Sequence, residues 1–275
     1  MAPASPSSSS SSASASRRFA DLRAPEVTTR LSPSSVLVQP IAAVEQHGPH
    51  LPLSTDLIVA TSAVDAVVAE RGDELDLWAL PPLAYGKSNE HAWAPGTIWL
   101  SATTLLSVLG DIGRSLASLP TRRLAFVNGH GGNTQLLAVA NRELRLEHGL
   151  MTFLLHPHAP VDSGGAAAGD LAVDTELGMG IHAGRDETSL ILHLAPALVD
   201  MSAAASCVPG SLAANAHVRF GGDVGFGWSS NDLHPSGVIG DPTAATAERG
   251  KVLFEAMVAN LGDALAEVAT FRFPA

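Results

Sequence analysis

A chain of 275 residues is long enough to bury a full core, and 46% hydrophobic against 16% charged residues marks a compact globular protein. With 16 Lys and Arg against 27 Asp and Glu the formal charge is −11, the wrong sign for a phosphate backbone, so no nucleic-acid partner is expected. No apolar run approaches the roughly 20 residues that span a bilayer, so no membrane partner is expected; the single Cys207 excludes an intrachain disulfide and suits a cytoplasmic location.

The N-terminus is a Ser/Ala/Pro-rich run without the apolar segment of a secretory signal, so residues 1–18 are expected to be a disordered tail and 19–275 a single domain. The apolar run over 35–41 predicts a buried strand. It is followed by Glu45-Gln46-His47-Gly48-Pro49-His50-Leu51-Pro52-Leu53-Ser54-Thr55-Asp56, where Gly and Pro forbid a helix and leave a loop carrying carboxylates and imidazoles. Helical spacing follows over 56–71, with a stop at Gly72. A short strand at 78–83 feeds a polar loop over 85–97, and a helix over 101–119 is stopped by Pro120. A third strand at 123–128 leads into Gly129-His130-Gly131-Gly132-Asn133, then a helix over 134–148 and a fourth strand at 150–155. Residues 157–180 read as a long Gly/Ala-rich excursion, 202–241 have little regular pattern, and helices are predicted from about 186 to Pro196 and from 243 to about 270. The alternation of strand and helix implies an α/β fold with a parallel sheet covered on both faces. Ligands bind such sheets beyond the carboxyl ends of the strands, which is where all three polar loops begin.

Glu45, His47, Asp56, His130 and Glu187 together offer three carboxylates and two imidazoles, the ligand mixture of a two-metal hydrolytic site with a bridging carboxylate. Taken singly, His130 also reads as a satisfied structural histidine, and Glu187 as a carboxylate favoured in a first helical turn. His182 suits a general acid/base or a hydrogen bond to a carbonyl. Glu90-His91 is as readily a solvated loop as a site. A phosphate loop at Gly129–Asn133 is disfavoured, because the Lys-Ser/Thr ending is missing, and no Gly-x-Ser-x-Gly elbow marks a serine hydrolase.

Glu45-Gln46-His47-Gly48-Pro49-His50-Leu51-Pro52-Leu53 with Asp56, Asn128-Gly129-His130-Gly131-Gly132-Asn133, and His182-Ala183-Gly184-x-x-Glu187-Thr188-Ser189 resemble the creatininase (creatinine amidohydrolase) family, in the same order from about residue 33 to 270. The resemblance implies a three-layer α/β/α sandwich with a mostly parallel sheet, hydrolysis of amide bonds, and ring-like homo-oligomers, hexameric or octameric. It also implies two divalent ions per subunit, with Fe2+ or Zn2+ expected ahead of Mn2+. Carried over by position, Glu45 and His130 hold one ion, His47 the other, and Asp56 bridges them. Creatininase has Tyr and Glu where this chain has Gly131 and Gly132, so Glu187 is expected to supply the missing ligand. His182 and Glu187 are the expected catalytic residues, and Ser88, Glu90, His91, Trp93 and Asn133 the expected substrate-binding set. The stretches 84–91, 182–194 and 237–247 look most like the mycofactocin-system branch, which implies a small modified peptide substrate and removal of its C-terminal Val-Tyr unit. Competing expectations are an amidohydrolase acting on a formamide or cyclic amide, and a non-catalytic metal-binding scaffold.

Overall fold

A computed structural model of the chain describes residues 16–158 and 176–274. Four strands, β1 (Val36–Ile41), β2 (Leu77–Ala79), β3 (Arg123–Asn128) and β4 (Met151–Leu155), form a wholly parallel sheet in the order β2-β1-β3-β4. Every residue of β1 and β3 is buried, as apolar strands covered on both faces require. Among the described residues the helices are α1 (Ala24–Arg30), α2 (Thr55–Leu75), α3 (Ala102–Leu116), α4 (Thr134–His148), α5 (Arg185–Leu194) and α6 (Ala247–Thr270), with one-turn helices at 210–213 and 230–233.

Alternate strand residues build the two cores. Val36, Val38, Ala125 and Val127 pack on Val64 and Val67 of α2, Ile191 of α5 and Leu261 and Leu265 of α6. On the opposite face Leu37, Ile41, Leu124 and Phe126 meet Leu105 and Leu109 of α3 and Leu137 and Leu144 of α4. The result is the expected three-layer sandwich. Each such side chain, fully buried, contributes roughly 1.5–3 kcal/mol. Helix α6 crosses α5 so closely that a Cβ on Gly250 would collide with the Ser189 carbonyl. Ser101 and Thr246 cap α3 and α6 by accepting from the amides of Thr104 and Arg249, each worth about 1 kcal/mol.

The sheet sets the place of the polar loops. Ile41 and Asn128 are in register, so β1 and β3 end side by side. The connection from β1 runs first to β2 on one flank and then returns to β3 on the other, which makes the β1/β3 edge the switch point. The loops after β1, β2 and β3 converge there.

Several boundaries differ from the sequence expectation. Helix α2 runs through Gly72, whose missing side chain makes room for Arg17, and ends only where Asp76 turns left-handed at φ 52°. Ladder pairing of β2 stops at Ala79, because Pro81 and Pro82 follow. Helix α3 ends at Leu116, four residues before Pro120, and α6 starts at Ala247 because Thr246 caps it. Of the expected N-terminal tail, residues 1–15 lie outside the described residues. Arg17 is half-buried and bonds Asp73 at 2.8 Å and Asp76 at 2.7 Å, and the exposed Arg18 bonds Asp65 at 2.9 Å. The 157–180 excursion falls mostly outside the described residues. Among the described residues no helix is long and apolar enough to cross a membrane.

Candidate metal centre

The loop after β1 is folded back on itself by the Glu45 amide donating to the Leu53 carbonyl at 3.0 Å. Gly48 supplies a turn at φ 68° where a Cβ would also strike Val238. This brings Asp56, in the first turn of α2, under Glu45 and His47. His130 arrives from the end of β3, where Asn128 holds its backbone on both sides: its amide donates to Asn128 Oδ1 at 3.2 Å, and its carbonyl accepts from Asn128 Nδ2 at 2.8 Å. His182 enters from a bridge to Ile239, and Glu187 from the first turn of α5.

All five expected ligands meet. The two Asp56 oxygens face different imidazoles, Oδ1 lying 3.1 Å from His47 Nε2 and Oδ2 3.1 Å from His130 Nδ1. Glu45 Oε1 is 3.3 Å from His130 Nδ1 and 4.0 Å from His47 Nε2, and Glu187 Oε2 is 4.0 Å from the same His47 nitrogen. Glu45, Asp56 and His130 form one set of converging donor atoms; His47, His182 and Glu187 form another. Glu45 is 1% exposed, His47 0%, Asp56 4% and His130 6%, whereas the Glu187 side chain keeps a third of its surface.

Three imidazoles are tethered from behind by main-chain carbonyls. His47 Nδ1 donates to Glu45 O at 3.2 Å, His130 Nε2 to Lys87 O at 3.1 Å, and His182 Nε2 to Gln46 O at 2.7 Å. A carbonyl only accepts, so each of these nitrogens carries a hydrogen and the opposite nitrogen faces inward, where it offers a lone pair whenever the ring is neutral. His91 is built the other way round. The Gly48 amide fixes Gln46 Oε1 at 2.8 Å, so Gln46 Nε2 donates to His91 Nδ1 at 2.8 Å and the His91 hydrogen sits on Nε2, 3.5 Å from Glu45 Oε1. His91 therefore presents a donor. Its ring stacks on His182 at 4.2 Å, and His182 lies 4.2 Å from His47.

Charges follow from these contacts. Burial, together with Asp56, pushes the Glu45 carboxyl up. Burial alone would raise Asp56, but the facing His47 and His130 rings hold it down. Burial would lower His47, but Asp56, Glu187 and Glu45 together lift it to about 9; His130 likewise rises well above its ordinary value against burial, through Glu45, Asp56 and Glu90. Burial takes His91 down to about 4 and His182 well below its usual range, so both are neutral. Burial lifts Glu187 to about 7. Burial would raise Glu90, but His130, a backbone hydrogen bond and Lys87 together bring it down to about 2.

A divalent ion fits this arrangement. Both Glu45 oxygens, His47 Nε2 and Asp56 Oδ2 are buried without a hydrogen-bond donor. An uncompensated buried charge costs several kcal/mol, more than the roughly 1 kcal/mol net of a hydrogen bond elsewhere. Carboxylate and imidazole donors suit Zn, Fe and Mn alike.

The expected substrate set divides. Glu90 and His91 line a cavity of about 540 Å3 over the ligand cluster. Ser88, Asn133 and Trp93 do not. Ser88 is wholly buried, and Asn133 braces three loops by accepting from the Lys87 amide at 2.8 Å and donating to Ala42 O at 3.1 Å and Asn128 Oδ1 at 3.3 Å. Trp93 points its indole N–H at Ser230 Oγ, 2.8 Å away. The sequence reading passed over Lys87, Gln135, Ile181, Phe226 and Trp228, which also line the cavity. The one available signal was Phe226-Gly227-Trp228, an apolar pair in a stretch without pattern. Glu187 stands on the His47 side, and the carboxylate over Gly132 is that of Glu90.

Residues 20–265 match the family model described as creatininase, creatinine amidohydrolase. The chain belongs to the creatininase family. Among curated creatininase-family relatives, the mycofactocin precursor peptide peptidase of Mycobacterium ulcerans (strain Agy99) is 39% identical over 231 residues, covering 82% of this chain and 81% of the relative. The creatinine amidohydrolase of Pseudomonas putida is 33% identical over 244 residues, covering 84% of this chain and 89% of its own. A solved manganese creatininase superposes with a TM-score of 0.75 at 26% identity, over 92% of this chain and 98% of that one. Another solved creatininase, a variant, is of a Zn–Zn type, so divalent ions are part of this family's chemistry. As a creatininase-family member the chain is a metal-dependent hydrolase.

Proposed function

We propose that this hydrolase is a two-metal peptidase that releases the modified C-terminal Val-Tyr unit from the mycofactocin precursor peptide. The observation that carries the reading is the 39% identity to a mycofactocin precursor peptide peptidase, against 33% to a creatinine amidohydrolase over a similar span. The cavity supports it. About 540 Å3 lies within the 300–1,000 Å3 range of pockets that enclose a sizeable ligand, and Phe226 and Trp228 offer an apolar wall to an aromatic end group. Gly131 leaves open ground on its side of the cluster.

In this reading Glu45, Asp56 and His130 would hold one ion, and His47 and Glu187, with Asp56 Oδ1 beside His47, would hold the other. Bound ions polarise the scissile carbonyl and bring the acidity of water into the neutral range. The chain's own residues do the rest. Glu187 reaches the cavity with a third of its side chain exposed and accepts the Ala183 amide at 2.5 Å, which aims its carboxylate for taking and returning a proton. His182 turns Nδ1 inward as a neutral acceptor, and His91 offers Nε2–H to a substrate oxygen. Fe2+ or Zn2+ is the proposed resident metal, and a reducing cytoplasm suits the single cysteine. Leu53, Trp93, Ile98 and Trp99 are exposed on the loops beside this edge and support assembly into a homo-oligomer.

Protein loaded with Fe(II), Zn(II) or Mn(II) is incubated with the modified precursor peptide, and separately with creatinine and formamide, and products are weighed by mass spectrometry. A released C-terminal fragment is expected. Turnover of the small amides alone, or no fragment with any metal, overturns the peptidase reading.

A further inference from the structure

Residue 132 has no side chain, and the ground a Cβ would take is already filled. A Cβ built there collides with Glu90 Oε1, His130 Nε2 and the Lys87 carbonyl oxygen. Glu90 comes from the loop after β2, yet its side chain is only 10% exposed. One oxygen, Oε1, lies 3.3 Å from His130 Nε2; the other accepts from Lys87 Nζ at 3.1 Å. The same His130 nitrogen faces the Lys87 carbonyl at 3.1 Å. Both partners behind the ring only accept, so the hydrogen stays on Nε2 and Nδ1 is left to Asp56 and Glu45.

We infer that Glu90 is a positioning residue of the metal centre, acting through His130, and that Gly132 is the vacant place that admits it. Glu90 belongs to none of the converging donor sets found among the described residues, and both of its oxygens are already engaged, one by His130 and the other by Lys87. A carboxylate behind a liganding imidazole fixes the ring and raises its basicity, and loss of such a partner costs 10–100-fold in metal affinity. Lys87 holds the second oxygen and stops the carboxylate from swinging into the cluster. The inference rests on the reading of the cluster as a metal centre.

Zn2+ and Co2+ affinities are measured by competition with a chromogenic chelator, with the visible spectrum of bound Co2+ as a second readout. Glu90→Ala is expected to weaken binding about 10–100-fold and to change the Co2+ spectrum. Glu90→Gln keeps an acceptor oxygen and should lose less. Gly132→Ala evicts Glu90 and should weaken binding as Glu90→Ala does, while the double variant is no weaker than either single one. Unchanged affinity in Glu90→Ala with a raised KM for peptide makes Glu90 a substrate contact and overturns the inference. Should Glu90→Ala fail to fold, Glu90→Gln decides: wild-type affinity and spectrum overturn it. Wild-type protein that takes up neither ion overturns the metal-centre reading itself, and the inference with it.

Discussion

The two walls of the cavity are built on opposite principles. On one side Glu45, Asp56 and His130 are at most 6% exposed, with His47 buried beside them, and His47 and His130 are pinned from behind by main-chain carbonyls. On the other, Phe226 and Trp228 are half-buried in a stretch with little regular structure and lean mainly on Phe220, each at a ring distance of 5.5 Å. Precision is concentrated where charge must be placed, and latitude where a substrate must be accommodated. Chemistry common to the creatininase family can therefore sit on the first wall while selectivity is set on the second.

The sharpest way to break that contrast is Asp56→Ala. Removing the shared carboxylate leaves His47 and His130 without their common partner, and several kcal/mol of charge stabilisation corresponds to about 10^3-fold or more in kcat/KM. Elemental analysis should find the bound metal depleted. Full metal content with full activity would place the chemistry elsewhere.

Gln46→Glu probes the first wall with almost no change of shape. A carboxylate cannot donate, so His91 must turn its hydrogen to Nδ1 and lose the Nε2–H that faces the cavity. A loss of about 10–100-fold in kcat is expected, as for other groups that set a histidine's orientation. Nitrogen NMR of His91 reports the tautomer directly, and an unchanged tautomer would refute this account of Gln46. Trp228→Ala tests the second wall. Loss of an aromatic contact worth about 1–1.5 kcal/mol should raise KM for the peptide about tenfold and leave metal content alone. A fall in kcat at constant KM would mean that the aromatic wall takes part in the reaction.

The same contrast decides what the sequence disclosed. Strands β1 and β3 and helix α4 stood out because buried apolar runs and a Gly-stopped amphipathic period are local signals. The candidate ligands could be picked out because carboxylates and imidazoles gather amid Gly and Pro at strand ends, although His130 and Glu187 each also had a structural reading. What stayed hidden depends on contacts between segments far apart in the chain. Asn133 looked like a substrate contact because nothing local shows that it braces Ala42 and Lys87. Glu90 read equally as a solvated loop carboxylate or a substrate contact, because only the fold brings it over Gly132. Phe226 and Trp228 carry no periodicity, since they answer to a cavity and not to a helix or strand.

The smallest effect is expected between the walls, at the turn that delivers Glu187. Ala183 is fully buried and left-handed at φ 54°, a conformation that costs a residue with a Cβ roughly 1–2 kcal/mol. Ala183→Gly removes that strain but gives up a buried methyl, about 0.8 kcal/mol, and adds freedom to the unfolded chain, about 0.4–1 kcal/mol. The terms nearly cancel, so the melting temperature should move by no more than about 3 °C in a domain of this size. The amide that aims Glu187 is retained, and metal affinity should hold. Ala183→Val keeps the strain and adds a branch that left-handed backbone tolerates poorly, so it should melt clearly lower and loosen Glu187. Equal melting of the two variants would show that the turn stores no strain, and that Glu187 is aimed by α5 alone.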